Sequence, residues 1–124
     1  MKTLVLVACL LAVVYAANEK VTRFHENVAT CSQELNKPPA GPEVIFCVLQ
    51  KGGNIDEEGK YILEKGLADF DNLISDEAKR NQAKDTVRKC YETLEYKGPK
   101  EANTEQTMKG VQCALPTVAL IDKP

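Results

Sequence analysis

Apolar residues recur at steps of three and four along most of the chain, and this spacing predicts α-helices. Residues three or four positions apart lie on the same face of a helix, whereas a half-buried strand alternates every two residues. That two-residue alternation is absent here. The first helical stripe consists of Val21, Phe24, Val28, Cys31 and Leu35. The hydrophobic pattern therefore predicts an all-α protein.

Proline and glycine separate the first two predicted helices. The turn at residues 36–41 contains two prolines, which remove backbone donors and fix φ. Pro42 suits the first turn of a second helix, and Gly52 with Gly53 ends it. Between them, residues 44–49 are apolar on all sides, which is typical of a helix surrounded by others.

Three further helices are expected after the second. The third should begin near Asp56 or Glu57, and the fourth should have Ser75 as its N-cap. Residues 98–99, Gly-Pro, should end the fourth helix, and Pro116 should end the fifth. The three stripes are, in order, Leu63, Leu67, Phe70 and Ile74; Ala83, Val87, Cys90, Tyr91 and Leu94; and Thr104, Met108, Val111 and Leu115.

The start of the chain carries the pattern of a secretory signal peptide. Residues 3–14 are almost continuously apolar, and Ala16 supplies the small residue at a cleavage site. About 12 apolar residues are too few for a membrane span, which needs ~20. We predict a signal peptide at residues 1–16, which includes Cys9, and a single secreted domain at residues 17–124.

The four remaining cysteines are an even number, as expected for disulfides in an oxidising compartment. Four cysteines permit three pairings. Cys31 and Cys47 lie on adjacent predicted helices, as do Cys90 and Cys113, so these two pairs would close loops of modest length. A zinc site is the rival interpretation, but no Cys-x-x-Cys unit is present and His25 is the only histidine.

Charge and motifs exclude several classes of function. Loss of Lys2 leaves a net charge of about −3, and no basic patch indicates nucleic acid as a partner. No further apolar stretch predicts a membrane span, and no catalytic motif indicates an enzyme or a cofactor. Residues 54–59 match the first half of a calcium loop, but Lys65 occupies the position of its bidentate glutamate. We interpret that segment as a turn leading into a helix, with no bound metal, and His25 as a helix-surface imidazole.

Three segments resemble insect odorant-binding proteins of the PBP/GOBP family. They are residues 47–61 (CVLQKGGNIDEEGKY), residues 88–91 (RKCY) and residues 111–113 (VQC). Glu43 and Thr104 stand where most members carry the cysteines of a further bridge, which matches the four-cysteine branch. The resemblance implies a compact five- to six-helix domain around an apolar cavity. It also implies the two short-range disulfides that the loop lengths favour.

The predicted function is that of a secreted carrier that reversibly binds a small hydrophobic ligand, such as an odorant, a pheromone or a lipid-like molecule. We expect Tyr91 to offer a polar contact, and the apolar residues 118–121, after Pro116, to dock either as a flap over the cavity mouth or as a plug inside it. The alternatives are a secreted protein-binding effector of salivary, venom or seminal type with a solid core, and a small hydrolase or inhibitor. The predicted cavity residues are Phe24, Val28, Val48, Leu63, Leu67, Phe70, Val87, Tyr91, Met108, Val111 and Leu115.

Overall fold

The structure, a computed structural model, describes the backbone of residues 2–124 and the side chains of residues 19–124. This part of the chain contains five α-helices, a short 3₁₀-helix and no strand beyond one isolated bridge between Ile55 and Tyr61. The prediction of an all-α fold is therefore confirmed. The elements are α1 (Lys2–Leu35), α2 (Pro42–Lys51), α3 (Leu63–Leu73), α4 (Glu77–Glu92), α5 (Lys100–Ala114) and a C-terminal 3₁₀-helix (Leu115–Leu120).

The predicted signal peptide, residues 1–16 with Cys9, lies outside the residues whose side chains are described. Its cleavage, and the division of the chain that depends on it, stay predictions. Among the residues described, no helix has the length and apolar character needed to cross a membrane.

Two disulfides join helices that are neighbours in the sequence. Cys31 of α1 is bonded to Cys47 of α2, with their Cα atoms 6.0 Å apart. Cys90 of α4 is bonded to Cys113 of α5, with a Cα separation of 5.8 Å. Both predicted pairings are confirmed, and each bridge fixes one pair of helices.

Apolar side chains form two separate cores rather than one. The α1–α2 core consists of Cys31, Val44 and Val48. The α3–α4 core consists of Phe70, Ile74, Ala83 and Val87, and the C-terminal residues Leu120 and Ile121 pack against it. Since α1 also contacts α3, and α2 also contacts α5, the helices enclose the space between the two cores.

The third helix begins later than predicted, because the acidic turn before it is closed by its own hydrogen bonds. One carboxylate oxygen of Asp56 accepts the backbone N–H groups of Glu58 and Lys60, both at 2.9 Å. The N–H of Tyr61 donates to the hydroxyl of Tyr96 at 3.2 Å. These bonds commit the backbone to a turn, so α3 starts only after it.

The start of the fourth helix is also shifted by one residue. Asp76, not Ser75, is the N-cap, and its carboxylate accepts the N–H of Lys79 at 3.0 Å. The N–H of Ser75 instead donates to the carboxylate of Asp122, at 3.1 and 3.2 Å from its two oxygens. Ser75 therefore bonds to a residue near the end of the chain, and the N-cap is the next residue, Asp76.

The fourth helix ends at Glu92, well before the Gly-Pro that was expected to stop it. The segment that follows is held by contacts with α5, and one of its residues lies at the wall of a cavity between the helices. The N–H of Glu95 donates to the side-chain oxygen of Gln106 at 3.1 Å, and the hydroxyl of Tyr96 lies 2.7 Å from that of Thr107. Leu94 lines the cavity. These tertiary contacts replace the turn of helix that local propensity favours.

Candidate functional site

The helices surround a partly open cavity of about 440 Å³ whose wall is mainly apolar. Each of the five α-helices and the C-terminal 3₁₀-helix contributes to it. Pockets that hold small molecules usually measure about 300–1,000 Å³, so this cavity has the size of a ligand site. Its principal apolar residues are Phe24, Ile45, Val48, Leu49, Phe70, Leu73, Val87, Leu94, Val111, Ala114, Leu115, Val118 and Ile121.

Seven of the residues predicted for the cavity lie at its wall. They come from α1 to α5 and from the 3₁₀-helix, so the predicted stripes do converge on one volume. Whether these side chains contact a ligand stays a prediction. The seven are Phe24, Val48, Phe70, Val87, Tyr91, Val111 and Leu115.

Four predicted residues do not line the cavity. Val28 packs on the α1–α2 core, and Leu63 and Leu67 pack on the α3–α4 core. Met108 is half-buried on α5, away from the wall. The apolar stripe of a surface helix spans ~100° or more, so only part of it faces the cavity and the rest packs against neighbouring helices.

Sequence reasoning missed several lining residues. Leu94 lies on the predicted stripe of α4, and Ile45 and Leu49 lie in the run of α2 that is apolar on all sides, so a signal was present for these three. Leu73 lies beside the α3 stripe. Ile121 reaches the wall only because the chain after α5 folds back, and no local pattern indicates that.

The cavity wall is polar on the side formed by α1, the end of α2 and α3. Asn54, only 5% exposed, donates from its Nδ2 to Oδ2 of Asp69 at 2.8 Å. Lys20, Arg23 and Lys51 also line the cavity. The polar part of the lining therefore carries charges of both signs.

Two of these cations pair with carboxylates on the surface of α1. Arg23 lies 3.4 Å from Glu19, and Lys51 lies 3.3 Å from Glu34. All four side chains are at least 36% exposed, and exposed pairs of this kind contribute only about 0–1 kcal/mol. They place positive charge near the cavity without holding it rigidly.

Tyr61 lies at the junction of the polar and apolar sides. Its ring packs against Tyr91, with the ring centres 6.4 Å apart, and Tyr91 packs against Tyr96 at 6.2 Å. Burial, with smaller contributions from the negative charge of Asp69 and from Tyr96, raises the pKa of Tyr61 to about 12. Position 66 is glycine because a Cβ there would collide with the Tyr61 hydroxyl.

We expect one tyrosine of the folded protein to ionise later than the others in an alkaline absorbance titration. A pKa of about 12 lies above the ordinary value of ~10, so the folded state binds the Tyr61 proton more tightly than the unfolded chain does. The stability this contributes is full below pH ~10 and is lost as pH rises towards the folded pKa. Tyr61→Phe should remove the late step. Persistence of that step in the variant would contradict the assignment.

The end of the chain is fixed against α1 and α3. The Nε2–H of His25 donates to the backbone carbonyl of Asp122 at 2.8 Å, and the N–H of Asp122 donates to the carbonyl of Leu73 at 2.8 Å. Between these bonds and α5, the 3₁₀-helix carries Val118 along the cavity wall. The expected flap is therefore a docked part of the wall, and His25, interpreted as a surface imidazole, anchors it.

Metal-ligating side chains do not cluster in the part of the chain whose side chains are described. The described side chains include no group of three or more His, Cys, Asp or Glu placed to hold a metal ion. The calcium-like segment begins at Asn54. Within it, the carboxylate of Asp56 accepts hydrogen bonds from backbone N–H groups. The arrangement offers shape, apolar surface and a few polar groups, which are the requirements of binding.

The model of the ant venom allergen Sol i 2 family matches the chain over residues 30–118. The matched span contains all four disulfide cysteines and most of the cavity wall. Comparisons with curated proteins and with solved structures found no match. The predicted membership of the odorant-binding PBP/GOBP family is therefore wrong. Cysteine spacing and a Gly-rich turn are compatible with more than one family of small disulfide-bonded helical proteins.

Proposed function

The chain belongs to the ant venom allergen Sol i 2 family, and from this premise we propose that it is a venom-type secreted protein whose cavity holds a small hydrophobic molecule. The family and the two disulfides are consistent with secretion, because disulfides persist in oxidising compartments. The observation that carries the ligand part of the proposal is the apolar cavity of about 440 Å³.

The apolar wall offers enough binding energy for a moderate affinity. Burial of apolar surface contributes about 25 cal/mol per Å², so ~400 Å² of ligand surface yields roughly 10 kcal/mol before the costs of association. A micromolar Kd corresponds to about −8 kcal/mol, and ordering the ligand accounts for the difference. We expect micromolar binding of neutral ligands with about ten to sixteen carbons.

Binding to another protein is the second candidate function. The family match supports the venom-type part of that alternative, while the apolar cavity supports the ligand part of the proposal. Among the described side chains, the large apolar ones that are exposed are Leu35, at 42%, and Ile62, at 36%. They lie at the end of α1 and just before α3, and single exposed apolar residues are ordinary on protein surfaces. The proposed function has no catalytic step, and His25 donates to a backbone carbonyl, not to a nucleophile.

A pair of neighbouring variants tests whether the cavity is the binding site. Val118 lines the cavity, whereas Ala119, the next residue on the 3₁₀-helix, is exposed and does not. Val118→Trp should weaken a long neutral ligand at least about tenfold, or 1.4 kcal/mol, and a short one less, because the indole occupies cavity volume. Ala119→Trp should bind both ligands as the parent protein does. Displacement of a neutral fluorescent probe measures each Kd.

The two variants separate cavity binding from adsorption on the surface. An equal loss of affinity in both variants would show that the probe lies on the outside of the 3₁₀-helix. If neither variant loses affinity, the cavity is not the binding site. Native mass spectrometry of the protein secreted by its source tissue would then identify a bound small molecule by its mass. Absence of binding across a broad panel of neutral hydrophobic compounds would refute the carrier function.

A further inference from the structure

Tyr61 and Asp69 are two of the polar residues at the cavity wall with hydrogen-bonding capacity that the protein does not use. Among the described side chains, the hydroxyl of Tyr61 makes no hydrogen bond; only its backbone N–H is engaged. Asp69 accepts Nδ2 of Asn54 at one oxygen, Oδ2, while Oδ1 accepts none. Both side chains are only partly buried, and both line the cavity. A ligand that forms hydrogen bonds with both groups would bind more tightly and in a defined orientation.

The two groups lie on one face of α3. The hydroxyl of Tyr61 packs over Gly66, where a Cβ would collide with it. Asp69 follows Gly66 by three residues, and residues three apart are neighbours on a helix surface. The negative charge of Asp69 also acts on the Tyr61 phenol. Both side chains line the cavity, so a single ligand atom that enters between them can meet both.

The surrounding charges favour a neutral head group. A carboxylate would be repelled by Asp69, which has no cation within 4.0 Å among the described residues. An ammonium group could pair with Asp69, but it would lose its hydration in a mainly apolar cavity, and it cannot accept a hydrogen bond from the Tyr61 hydroxyl. A hydroxyl carries no net charge, accepts from Tyr61 and donates to Asp69, so neither sign of charge opposes it.

We infer that the cavity selects an aliphatic alcohol, with its hydroxyl between Tyr61 and Asp69 and its chain among the apolar residues of the opposite wall. This inference rests on the proposed function and narrows its ligand class. Tyr91, the residue expected from the sequence to offer the polar contact, lines the cavity too. In this arrangement Tyr91 contributes its ring, not its hydroxyl.

Four ligands with the same chain length test the head group by displacement of a neutral fluorescent probe: 1-decanol, decyl methyl ether, decanoate and decylamine. The ether keeps an acceptor but lacks the donor. One hydrogen bond corresponds to a factor of roughly three to ten in affinity, so 1-decanol should bind about three- to tenfold tighter than the ether and tighter than either charged ligand. Equal affinity of alcohol and ether, or tighter binding of decanoate or decylamine, would overturn the inference.

Two tyrosine variants locate the contact. Tyr61→Phe should weaken 1-decanol and decyl methyl ether alike, by roughly three- to tenfold, because both ligands accept from its hydroxyl, while Tyr91→Phe should leave both affinities unchanged. The reverse result would assign the contact to Tyr91 and refute the geometry proposed here. Asp69→Asn adds an independent readout, because removing the negative charge should strengthen decanoate binding while weakening that of 1-decanol.

The outcomes distinguish this inference from the function on which it rests. If none of the four ligands displaces the probe from the parent protein, the carrier function itself fails. If all four bind with similar affinity, the carrier function stands and the alcohol inference fails. Thermal unfolding of each variant, followed by circular dichroism, shows that a loss of affinity does not result from a lost fold.

Discussion

Replacing Cys90 and Cys113 together by alanine should lower the free energy of unfolding by about 2–5 kcal/mol. The bridge joins α4 to α5 across 23 residues, and its removal frees the unfolded chain to sample more conformations. A small domain has only about 5–15 kcal/mol of stability in total, so this loss is a large part of it. Urea unfolding followed by circular dichroism at 222 nm measures the change.

The second bridge provides a matched comparison. Chain entropy alone predicts that the Cys31–Cys47 bridge, across 16 residues, contributes ~0.3 kcal/mol less than the longer one. Cys31 is fully buried in the α1–α2 core, however, so Cys31→Ala/Cys47→Ala also removes packing. We expect this pair to be the more costly to lose. A larger loss for Cys90 and Cys113 would show that loop entropy outweighs core packing here.

Ending the chain after Pro116 should destabilise the protein by about 3–5 kcal/mol and abolish ligand binding. The truncation removes Leu120 and Ile121 from the α3–α4 core and Val118 from the cavity wall. Burial of one such side chain contributes up to about 1.5–3 kcal/mol, and these three are only partly buried. This differs from the flap expected from the sequence, whose loss would leave the fold intact. Thermal unfolding and probe binding measure both effects.

A shorter truncation separates the docked residues from the exposed end. Removing only Lys123 and Pro124, both exposed, leaves the bonds of Asp122 to His25, Ser75 and Leu73 in place. Stability and binding should then equal those of the full chain. If truncation after Pro116 leaves the unfolding midpoint unchanged, the C-terminal segment does not dock in solution.

The features that follow from local chemistry were predictable from the sequence. The end of α1 at Leu35, the start of α2 at Pro42 and its end beside Gly52 agree with the predicted breaks, because proline and glycine act on their own backbone. The two disulfides were also predictable, since each joins helices adjacent in the sequence. The family was not predictable in this way, because cysteine spacing indicates which helices are paired but does not distinguish families that share that pairing.

The predicted helix boundaries were wrong where another hydrogen bond competed for the backbone groups of the first helical turn. Ser75 is a good N-cap by type, but its N–H is bonded to Asp122, 47 residues away. Asp56 has the right charge for a first helical turn, yet its carboxylate closes a tighter turn with its own backbone. Helix propensity describes the average preference of each residue type. It does not include a specific turn hydrogen bond such as that of Asp56 or a tertiary contact such as that of Ser75.

The sequence by itself determined the helices, the bridges and the existence of an apolar interior, because periodicity records which face of each helix avoids water. Only the tertiary structure decided which part of each apolar stripe faces a cavity and which part faces a neighbouring helix, since both environments select the same side chains. It also placed Asp69 beside Tyr61 and brought His25 to Asp122 across 97 residues. Those contacts depend on chain folding over long separations, and they give the cavity its polar side and its closed end.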